Sequence, residues 1–142
     1  MIKITPKVDY AFALQLSRSN MAEYYAKHGI VWDDTYFARF WEASENFGLY
    51  QDDQCIGVVR IRLEDDAIHL ADLHVVPECQ GTGIGGEALQ YMMQLAKVRR
   101  KPLMRLTVFG DNPARRFYER HGFQVVEQEG VLWKMACVIE RS

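Results

Sequence analysis

Residues Gln80-Gly81-Thr82-Gly83-Ile84-Gly85-Gly86 form the stretch that decides the fold of this chain. An apolar run, residues 68–76, precedes the stretch, and a segment with helical periodicity follows it. This order predicts a strand that turns on glycines into a helix. The first amides of a helix lack intrahelical partners and carry the positive end of its dipole, so a glycine-rich entry lets an anion approach the backbone closely. The stretch is therefore a candidate phosphate-binding loop.

The loop has three other interpretations, namely a purely structural turn, a Walker loop and a dinucleotide-binding loop. Glycines between a strand and a helix are also common where a turn needs positive φ or close packing. A Walker loop requires Lys followed by Ser or Thr after its last glycine, and residues 87 and 88 are Glu and Ala. The dinucleotide pattern Gly-x-Gly-x-x-Gly is matched within residues 81–86. However, about 20 residues further on, where an acidic residue should bind the ribose, the chain has Arg100 and Lys101.

What remains is the pattern Gln/Arg-x-x-Gly-x-Gly/Ala, which Gln80, Gly83 and Gly85 fulfil. A second block lies downstream and reads Asn112-Pro113-Ala114-Arg115-Arg116-Phe117-Tyr118-Glu119-Arg120-His121-Gly122-Phe123. Its Asn, Ala, Tyr and Gly-Phe pair follow the loop in the order and at the separation of two signatures of one superfamily. Over residues 46–139 the chain resembles the GNAT N-acetyltransferase superfamily.

The length and the order of elements agree with the fold that this resemblance implies. At 142 residues the chain fits a single N-acetyltransferase domain, residues 1–142, large enough to bury a core. The resemblance implies an α/β fold, a mixed and mostly antiparallel sheet with a central splayed βαβ acyl-CoA site and helices on both faces. Strand patterns at both ends of the chain and a βαβ unit in the middle indicate the same architecture.

Helix caps and periodicity predict the elements on either side of the loop. Asp9 is placed to cap a first helix, and a separate helical stretch is expected over residues 21–27. The next helix opens at Asp34 or Thr35, and a hairpin follows with its turn at Asp52-Asp53. The core stripe of the helix after the loop is expected to be Ile84, Ala88, Tyr91, Met92 and Leu95.

Composition and charge argue against several classes of protein. The formal charge of -2 provides no general basic surface, so no nucleic acid partner is expected. No stretch approaches the run of about 20 apolar residues that spans a bilayer, and the first residues lack the apolar core of a signal peptide. We therefore expect no membrane partner, and we expect a cytoplasmic location. Cys55, Cys79 and Cys137 show neither a disulfide framework nor a metal-binding spacing, so no metal is expected.

The resemblance implies that acetyl-CoA or coenzyme A binds at the loop as a cosubstrate. Its pyrophosphate is expected at the loop residues Gln80, Gly81, Thr82, Gly83, Ile84, Gly85 and Gly86. Its pantetheine arm is expected along the end of the preceding strand, at Leu73, His74, Val75 and Val76. In the superfamily this strand and the next one splay apart, so that their free backbone groups pair with the cosubstrate. Asn112 matches a position that commonly contacts the cofactor, although helix capping explains this residue as well.

Tyr118 corresponds to the residue that usually acts as general acid in the superfamily, where it protonates the departing thiolate. A phenol and a coenzyme thiol have comparable basicities, so a proton passes between them without a large uphill step. The alternative role is that of a core aromatic. Phe117 already supplies an apolar anchor about 100° round the helix, which leaves Tyr118 to face the cleft.

The base that accepts the proton of the amine is expected to be His69. It occupies a strand position at which some members of the superfamily carry Glu or His near the acceptor. A pKa of about 6.5 suits proton acceptance at neutral pH. Asp72 and His74 lie on the opposite face of the strand by period-two alternation and are weaker candidates. A water chain, with His69 in a structural role, is the alternative.

Aromatic and acidic residues in the first third of the chain form the candidate acceptor site. Tyr24 and Trp32 are expected to bind a cationic amine through cation–π contacts, although core packing explains part of the cluster. The expected reaction moves an acetyl group to a primary amine by direct attack in a ternary complex. The amine belongs to a small molecule or a peptide, and acetylation of a protein N-terminus or lysine is an alternative to acetylation of a small molecule.

Two alternatives from other classes are a non-catalytic acyl-CoA sensor and a Rossmann-like nucleotide-binding module. Retention of Tyr118 disfavours the sensor, and residues 112–123 have no role in a Rossmann-like module. The protein is expected to act as a monomer or a homodimer.

Overall fold

The computed structural model of the chain describes residues 2–140. The strands are β1 (Lys3–Thr5), β2 (Glu45–Gln51), β3 (Gln54–Leu63), β4 (Ala67–Val75), β5 (Leu103–Phe109), β6 (Gln124–Glu129) and β7 (Leu132–Val138). The helices are α1 (Tyr10–Lys27), α2 (Asp34–Glu42), α3 (Ile84–Val98) and α4 (Ala114–Arg120), with a 3₁₀ turn at Pro77–Cys79.

The strands form a seven-stranded sheet in the order β1-β2-β3-β4-β5-β7-β6. The pairing of β4 with β5 is parallel, and the other pairings in the described sheet are antiparallel. The helix α3 makes the crossover between the two parallel strands, as a βαβ unit requires. This confirms the mixed, mostly antiparallel α/β sheet expected from the sequence.

Helices cover both faces of the sheet, and each face has its own apolar cluster. On one face Ala13 and Leu16 of α1 pack with Phe37 of α2 and Val58 of β3. The other face is larger, and its buried residues include Ile84, Ala88, Leu89, Met92 and Ala96 of α3. Below, these are called the α1/α2 face and the α3/α4 face. Tyr91, which was expected in the core stripe of α3, is 45% exposed, so that part of the prediction is wrong.

The first helix is longer than the sequence suggested. Residues 21–27 were expected to form a separate helix, but α1 runs without a break over Tyr10–Lys27. Polar residues in the middle of this helix, such as Ser17 and Asn20, favour helix caps and turns when local propensity alone is considered. In the fold, Ser17 is buried against the sheet and Asn20 donates a hydrogen bond to the Val75 carbonyl at 3.2 Å. These tertiary contacts stabilise helical residues that local propensity disfavours.

The β2–β3 hairpin follows the prediction closely. Its turn residues Asp52 and Asp53 adopt φ of 50° and 68°. Positive φ at both central positions is typical of the two-residue turn whose twist matches that of a hairpin. Asp9 and Asp33 cap α1 and α2, because their carboxylates accept hydrogen bonds from first-turn N–H groups.

Gly57 is required by close packing of β3, so Gly57→Ala should destabilise the protein. A Cβ at this position would lie 2.6 Å from the His74 carbonyl oxygen and 2.8 Å from Leu49 Cδ1. Relieving that overlap should lower the free energy of unfolding by about 1–3 kcal/mol, measured by chemical denaturation. Gly85→Ala is the matched control, because its Cβ would meet Phe117 at an ordinary 3.6 Å. Equal stability of Gly57→Ala and the parent protein would contradict the prediction.

Candidate functional site

The glycine-rich loop presents an open stretch of backbone at the start of α3. Gly81 and Gly83 adopt φ of 77° and 88°, a region that side chains other than glycine rarely occupy. Within residues 2–140, no atom outside their chain neighbours lies within 4 Å of a Cβ built on either glycine. Side chains at these positions would therefore fill the space above the loop, and glycines leave it open.

The first amides of α3 are available to a ligand. Gly83 is the N-cap residue, and no side chain of the described chain caps the helix there. The first intrahelical bond runs from the Glu87 N–H to the Gly83 carbonyl, so the N–H groups of residues 84–86 have no helical acceptor. Together with the positive end of the helix dipole, these amides form a site suited to a phosphate group.

The other two loop glycines serve the packing of α3 on α4. A Cβ on Gly85 would lie 3.6 Å from the Phe117 ring, and a Cβ on Gly86 would lie 3.3 Å from His121 Nε2. These glycines bring the second sequence block against the first turn of α3. The two blocks that are about 30 residues apart in sequence thus meet at one end of the sheet.

The parallel strands β4 and β5 separate next to this loop. Their register pairs Ala67 with Leu103, Ile68 with Met104 and His69 with Arg105. Beyond His69, no further pair between β4 and β5 exists in the described residues, although both strands continue. The resulting gap, called the splay below, opens towards the glycine-rich loop.

Leu73 and Val75 of β4 direct their backbone groups into the splay, as the pairing of the next residue, Val76, shows. The Val76 N–H donates to the Ile56 carbonyl of β3 at 2.9 Å. Backbone groups of successive strand residues point to alternate sides, so those of Val75 and Leu73 point away from β3 and towards β5. His74 and Val76 therefore direct their backbone groups to β3. A cosubstrate lying in the splay would pair with the backbone at Leu73 and Val75.

Gln80 connects the loop to the strand. Its side-chain Nε2 donates to the Val75 carbonyl at 2.9 Å, and Asn20 Nδ2 of α1 donates to the same oxygen at 3.2 Å. The Val75 carbonyl is thus satisfied by two side chains, whereas its N–H faces the splay. This role of the Gln80 side chain was not anticipated from the sequence, because the motif alone does not show what the amide contacts.

A β-bulge in β4 overturns the sequence-based assignment of strand faces. Asp72 pairs with Arg60 and Leu70 pairs with Ile61, so Ala71 has no partner in β3. One extra residue reverses the alternation of side chains. His69, Asp72 and His74 therefore share a face, and the expectation that Asp72 and His74 lie opposite His69 is wrong.

The shared face of His69, Asp72 and His74 is the α1/α2 face. Arg60, which lies opposite Asp72, holds its guanidinium carbon 4.4 Å from the ring centroid of Phe37 in α2. Arg62, which lies opposite His69, holds its guanidinium carbon 5.1 Å from the ring centroid of Phe40 in the same helix. Burial, and then the charge of Arg62, lower the pKa of His69 below its ordinary value. The imidazole is therefore neutral at neutral pH and able to accept a proton.

Tyr118 lies on the α3/α4 face, in the cluster that contains Ile84, Val75 and Leu106. It is 9% exposed and is more buried than its neighbour Phe117, contrary to the expectation that Phe117 would be the anchor. Burial, and then the negative charge of Asp72, raise the pKa of the phenol well above its ordinary value. The hydroxyl therefore keeps its proton at neutral pH, and it experiences the negative charge of Asp72 on β4.

Asn112 lies one residue before Pro113, which is the N-cap of the short helix α4. Its side-chain Oδ1 accepts a hydrogen bond from the Ala114 N–H at 2.9 Å. Asn112 therefore satisfies the first N–H of the helix, as a capping residue would, although it is not the N-cap itself. Its expected contact with the cosubstrate stays a prediction.

The candidate acceptor residues surround the end of β5. Tyr24 stacks on Phe109 with centroids 6.0 Å apart, and Tyr25 meets the same ring edge-on at 5.9 Å. Trp32 lies 5.3 Å from Tyr25 and donates its indole N–H to Asp34 at 2.7 Å. Phe109 was missed by the sequence analysis, because a strand-terminal aromatic has no motif of its own. These rings form a wall beside the splay on the α1/α2 face.

A model of the acetyltransferase (GNAT) family matches residues 13–123 of this sequence. The match covers most of the chain and includes both sequence blocks. The chain belongs to the GNAT acetyltransferase family. The order of its strands, its parallel β4–β5 pair and its glycine-rich loop are thereby parts of a GNAT fold.

Solved structures agree with the GNAT assignment at the level of the fold. PaiA N-acetyltransferase from Thermoplasma acidophilum, solved with coenzyme A, is 20% identical with a TM-score of 0.79, and the alignment covers 97% of this chain and 99% of that one. The ribosomal-protein-S18-alanine N-acetyltransferase of Escherichia coli is 21% identical with a TM-score of 0.73, covering 100% and 96%. A GNAT acetyltransferase from Elizabethkingia anophelis with acetyl-CoA bound is 13% identical with a TM-score of 0.75, covering 96% and 97%.

No protein of curated function matches the sequence. Within residues 2–140, no helix has both the length and the apolar character needed to cross a membrane. The same residues contain no group of three or more His, Cys, Asp or Glu side chains placed to hold a metal ion.

Proposed function

We propose that this GNAT protein transfers an acetyl group from acetyl-CoA to a primary amine, by direct attack in a ternary complex. The observation on which the proposal rests is the splay between β4 and β5. It has free loop amides at one end, backbone groups of Leu73 and Val75 along one side, and Tyr118 in the apolar cluster of the α3/α4 face. The solved complexes of related folds with coenzyme A and acetyl-CoA support the choice of cosubstrate.

The described residues fit such a cosubstrate. The open space over Gly81 and Gly83 would accept a pyrophosphate, because amides 84–86 supply donors and no side chain of the described chain blocks them. The Leu73 backbone and the Val75 N–H would hold the pantetheine arm as a neighbouring strand would. Each of these groups would otherwise need a water partner.

Tyr118 would assist the departure of sulfur. In the transfer, the amine nitrogen forms a bond to the thioester carbonyl carbon, and the carbon–sulfur bond breaks with its electron pair on sulfur. The phenol of Tyr118 donates its proton to that sulfur, and the nitrogen gives up a proton to a group on the α1/α2 face or to water. Burial raises the pKa of Tyr118, and it penalises a thiolate in the same environment as well, so the phenol and the thiol remain comparable in basicity and the proton passes without a large uphill step.

The test of the proposed function is release of the coenzyme thiol. Tyramine, lysine and an alanine-initiated hexapeptide represent arylalkylamines, amino acids and protein N-termini. Thiol release that requires both acetyl-CoA and an amine is the expected result, and the rates identify the acceptor class. Binding of CoA by calorimetry without amine-dependent thiol release for any member of the panel would contradict catalysis and favour an acyl-CoA sensor.

Trp32→Ala should raise the acceptor KM by about 10-fold and leave acetyl-CoA affinity unchanged. The indole is part of the aromatic wall beside the splay, and loss of a cation–π contact of about 1–2 kcal/mol weakens binding of a cationic amine by this factor. Trp32→Phe is the matched control, since it keeps an aromatic ring while removing the hydrogen bond to Asp34. Altered acetyl-CoA affinity with an unchanged acceptor KM would show that Trp32 does not belong to the acceptor site.

A further inference from the structure

A chain of four polar side chains crosses the interface between the helices and the sheet on the α1/α2 face. Its members, in order of contact, are Asn20 of α1, His74 and Asp72 of β4, and Arg60 of β3. The surrounding interface contains Phe37, Trp41 and other apolar side chains. Below, these four residues are called the polar chain.

Arg60 is the most buried charged member of the polar chain. It is 3% exposed, and its Nη1 donates to Asp72 Oδ2 at 2.8 Å. The rings of Phe37 and Trp41 lie with their centroids 4.4 and 5.8 Å from its guanidinium carbon. Among the described residues its Nε has no hydrogen-bond partner. Burying a guanidinium in this way is costly, and packing alone would be served equally well by an apolar residue.

The other end of the polar chain fixes the orientation of His74. Asn20 Nδ2 lies 3.4 Å from His74 Nδ1. An amide nitrogen donates, so Nδ1 is the acceptor and the ring proton is on Nε2. That nitrogen lies 3.3 Å from Asp72 Oδ1 but makes no hydrogen bond among the described residues. The same Asn20 amide donates to the Val75 carbonyl at the cofactor strand. Asp72 thus accepts a hydrogen bond from the Arg60 cation on one side and has the His74 imidazole close beside it on the other.

The carboxylate of Asp72 is also partly exposed. Its side chain is 23% exposed, whereas those of Arg60 and His74 are 4% and 9% exposed. Burial is the main cause of the raised pKa of Tyr118 on α4 and of Tyr25 on α1, and the negative charge of Asp72 is the second cause for both phenols. Two phenols from opposite sides of the cleft therefore experience this one carboxylate.

We propose that Asp72 is the acceptor-binding carboxylate of this protein and that Arg60 is its positioning residue. This inference rests on the proposed function. Asp72 would donate no proton and form no covalent bond: it would hold the amino group of the acceptor through a charge-assisted hydrogen bond, beside the thioester that Tyr118 faces. Arg60 would act through Asp72, by holding Oδ2 so that the carboxylate stays directed at the cleft.

Four variants test the proposal in the full chain, with the fastest acceptor among tyramine, lysine and the alanine-initiated hexapeptide. Asp72→Asn and Arg60→Met should each raise the acceptor KM by about 10-fold or more, while CoA affinity measured by calorimetry stays within about 2-fold of the parent. Arg60→Lys keeps the charge and should recover part of the loss. The double variant should have the same acceptor KM as Asp72→Asn, because Arg60 then has no carboxylate to position.

Arg62→Met is the matched control. Arg62 lies on the same face of the same strand and above another α2 ring, but it pairs with His69 rather than with Asp72. Loss of the Arg62 charge raises the pKa of His69 and so shifts the pH profile of kcat, but the acceptor KM should equal that of the parent. His69→Gln tests whether His69, rather than Asp72, binds the acceptor. A raised acceptor KM in His69→Gln with no change in Asp72→Asn would overturn the proposal.

The outcomes separate this inference from the proposed function. Turnover by the parent protein with an unchanged acceptor KM in Asp72→Asn and Arg60→Met overturns the inference alone. Equal falls of melting temperature and activity in all variants, with no selective change of KM, give Arg60 a structural role and also overturn it. A parent protein that binds CoA but releases no thiol with any amine overturns the proposed function, and the inference with it. If Arg60→Met does not fold, Arg60→Lys and Asp72→Asn decide between these outcomes.

Discussion

Gly83→Val should weaken CoA binding by about 100-fold or more. Valine disfavours the φ of 88° that Gly83 adopts, and its methyl groups would occupy the open space above the loop. Both effects prevent a phosphate from reaching the amides of residues 84–86. Loss of two charge-assisted hydrogen bonds, each worth about 1.5–3 kcal/mol, corresponds to a change of this size. Isothermal titration calorimetry with CoA measures it directly.

Gly130→Val is the matched control for backbone strain. Gly130 has φ of 59° in the turn between β6 and β7, and within residues 2–140 no atom beyond its neighbours lies within 4 Å of a built Cβ. The two variants should lose similar thermal stability, and Gly130→Val should bind CoA like the parent. Unchanged CoA affinity in a folded Gly83→Val protein would show that the loop is a structural turn.

Tyr118→Phe should lower kcat by about 10-fold or more with little change in CoA affinity or melting temperature. General acids contribute typically about 10²- to 10⁴-fold, and water can replace part of that contribution. Phenylalanine preserves the ring that packs against Phe117 and Phe123 with centroids 5.2 and 5.6 Å away. Steady-state kinetics with the identified acceptor, from neutral to alkaline pH, measure the effect.

Tyr91→Phe is the control for loss of a phenol. Tyr91 is 45% exposed on α3, well beyond the first turn that follows the loop, and its substitution should leave kcat unchanged. If Tyr118→Phe turns over the acceptor at the parent rate across the pH range, Tyr118 is a packing residue and the acid lies elsewhere. If it loses CoA affinity instead, its hydroxyl is a binding group.

Elements set by neighbouring residues were predictable from the sequence. The hairpin at Asp52 and Asp53, the cap Asp9, the start of α2 at Asp34 and the glycine entry to α3 each depend on backbone preferences over a few residues. The helix α2 begins at Asp34 as expected, and its cap is the preceding residue, Asp33. The family resemblance rests on motifs of the same local kind, and it matched the observed fold for that reason.

Elements that depend on distant contacts were not predictable in this way. The middle of α1 stays helical because Asn20 meets the Val75 carbonyl, a contact across 55 positions of sequence. The relative burial of Phe117 and Tyr118 depends on how α4 packs on the loop, and their spacing on the helix does not decide it. Arg60 gave no sequence signal, since its partner Asp72 lies on another strand.

The sequence by itself determined the strand–glycine–helix unit, the second block and hence the GNAT family, because these rest on local backbone geometry and residue spacing. Only the tertiary structure decided which side chains of β4 meet at the α1/α2 face. Ala71 is a bulge only through the way that β4 pairs with β3, and that single unpaired residue moves Asp72 and His74 to the side of His69. The splay likewise exists only where β4 and β5, separated by a whole helix in sequence, stop pairing.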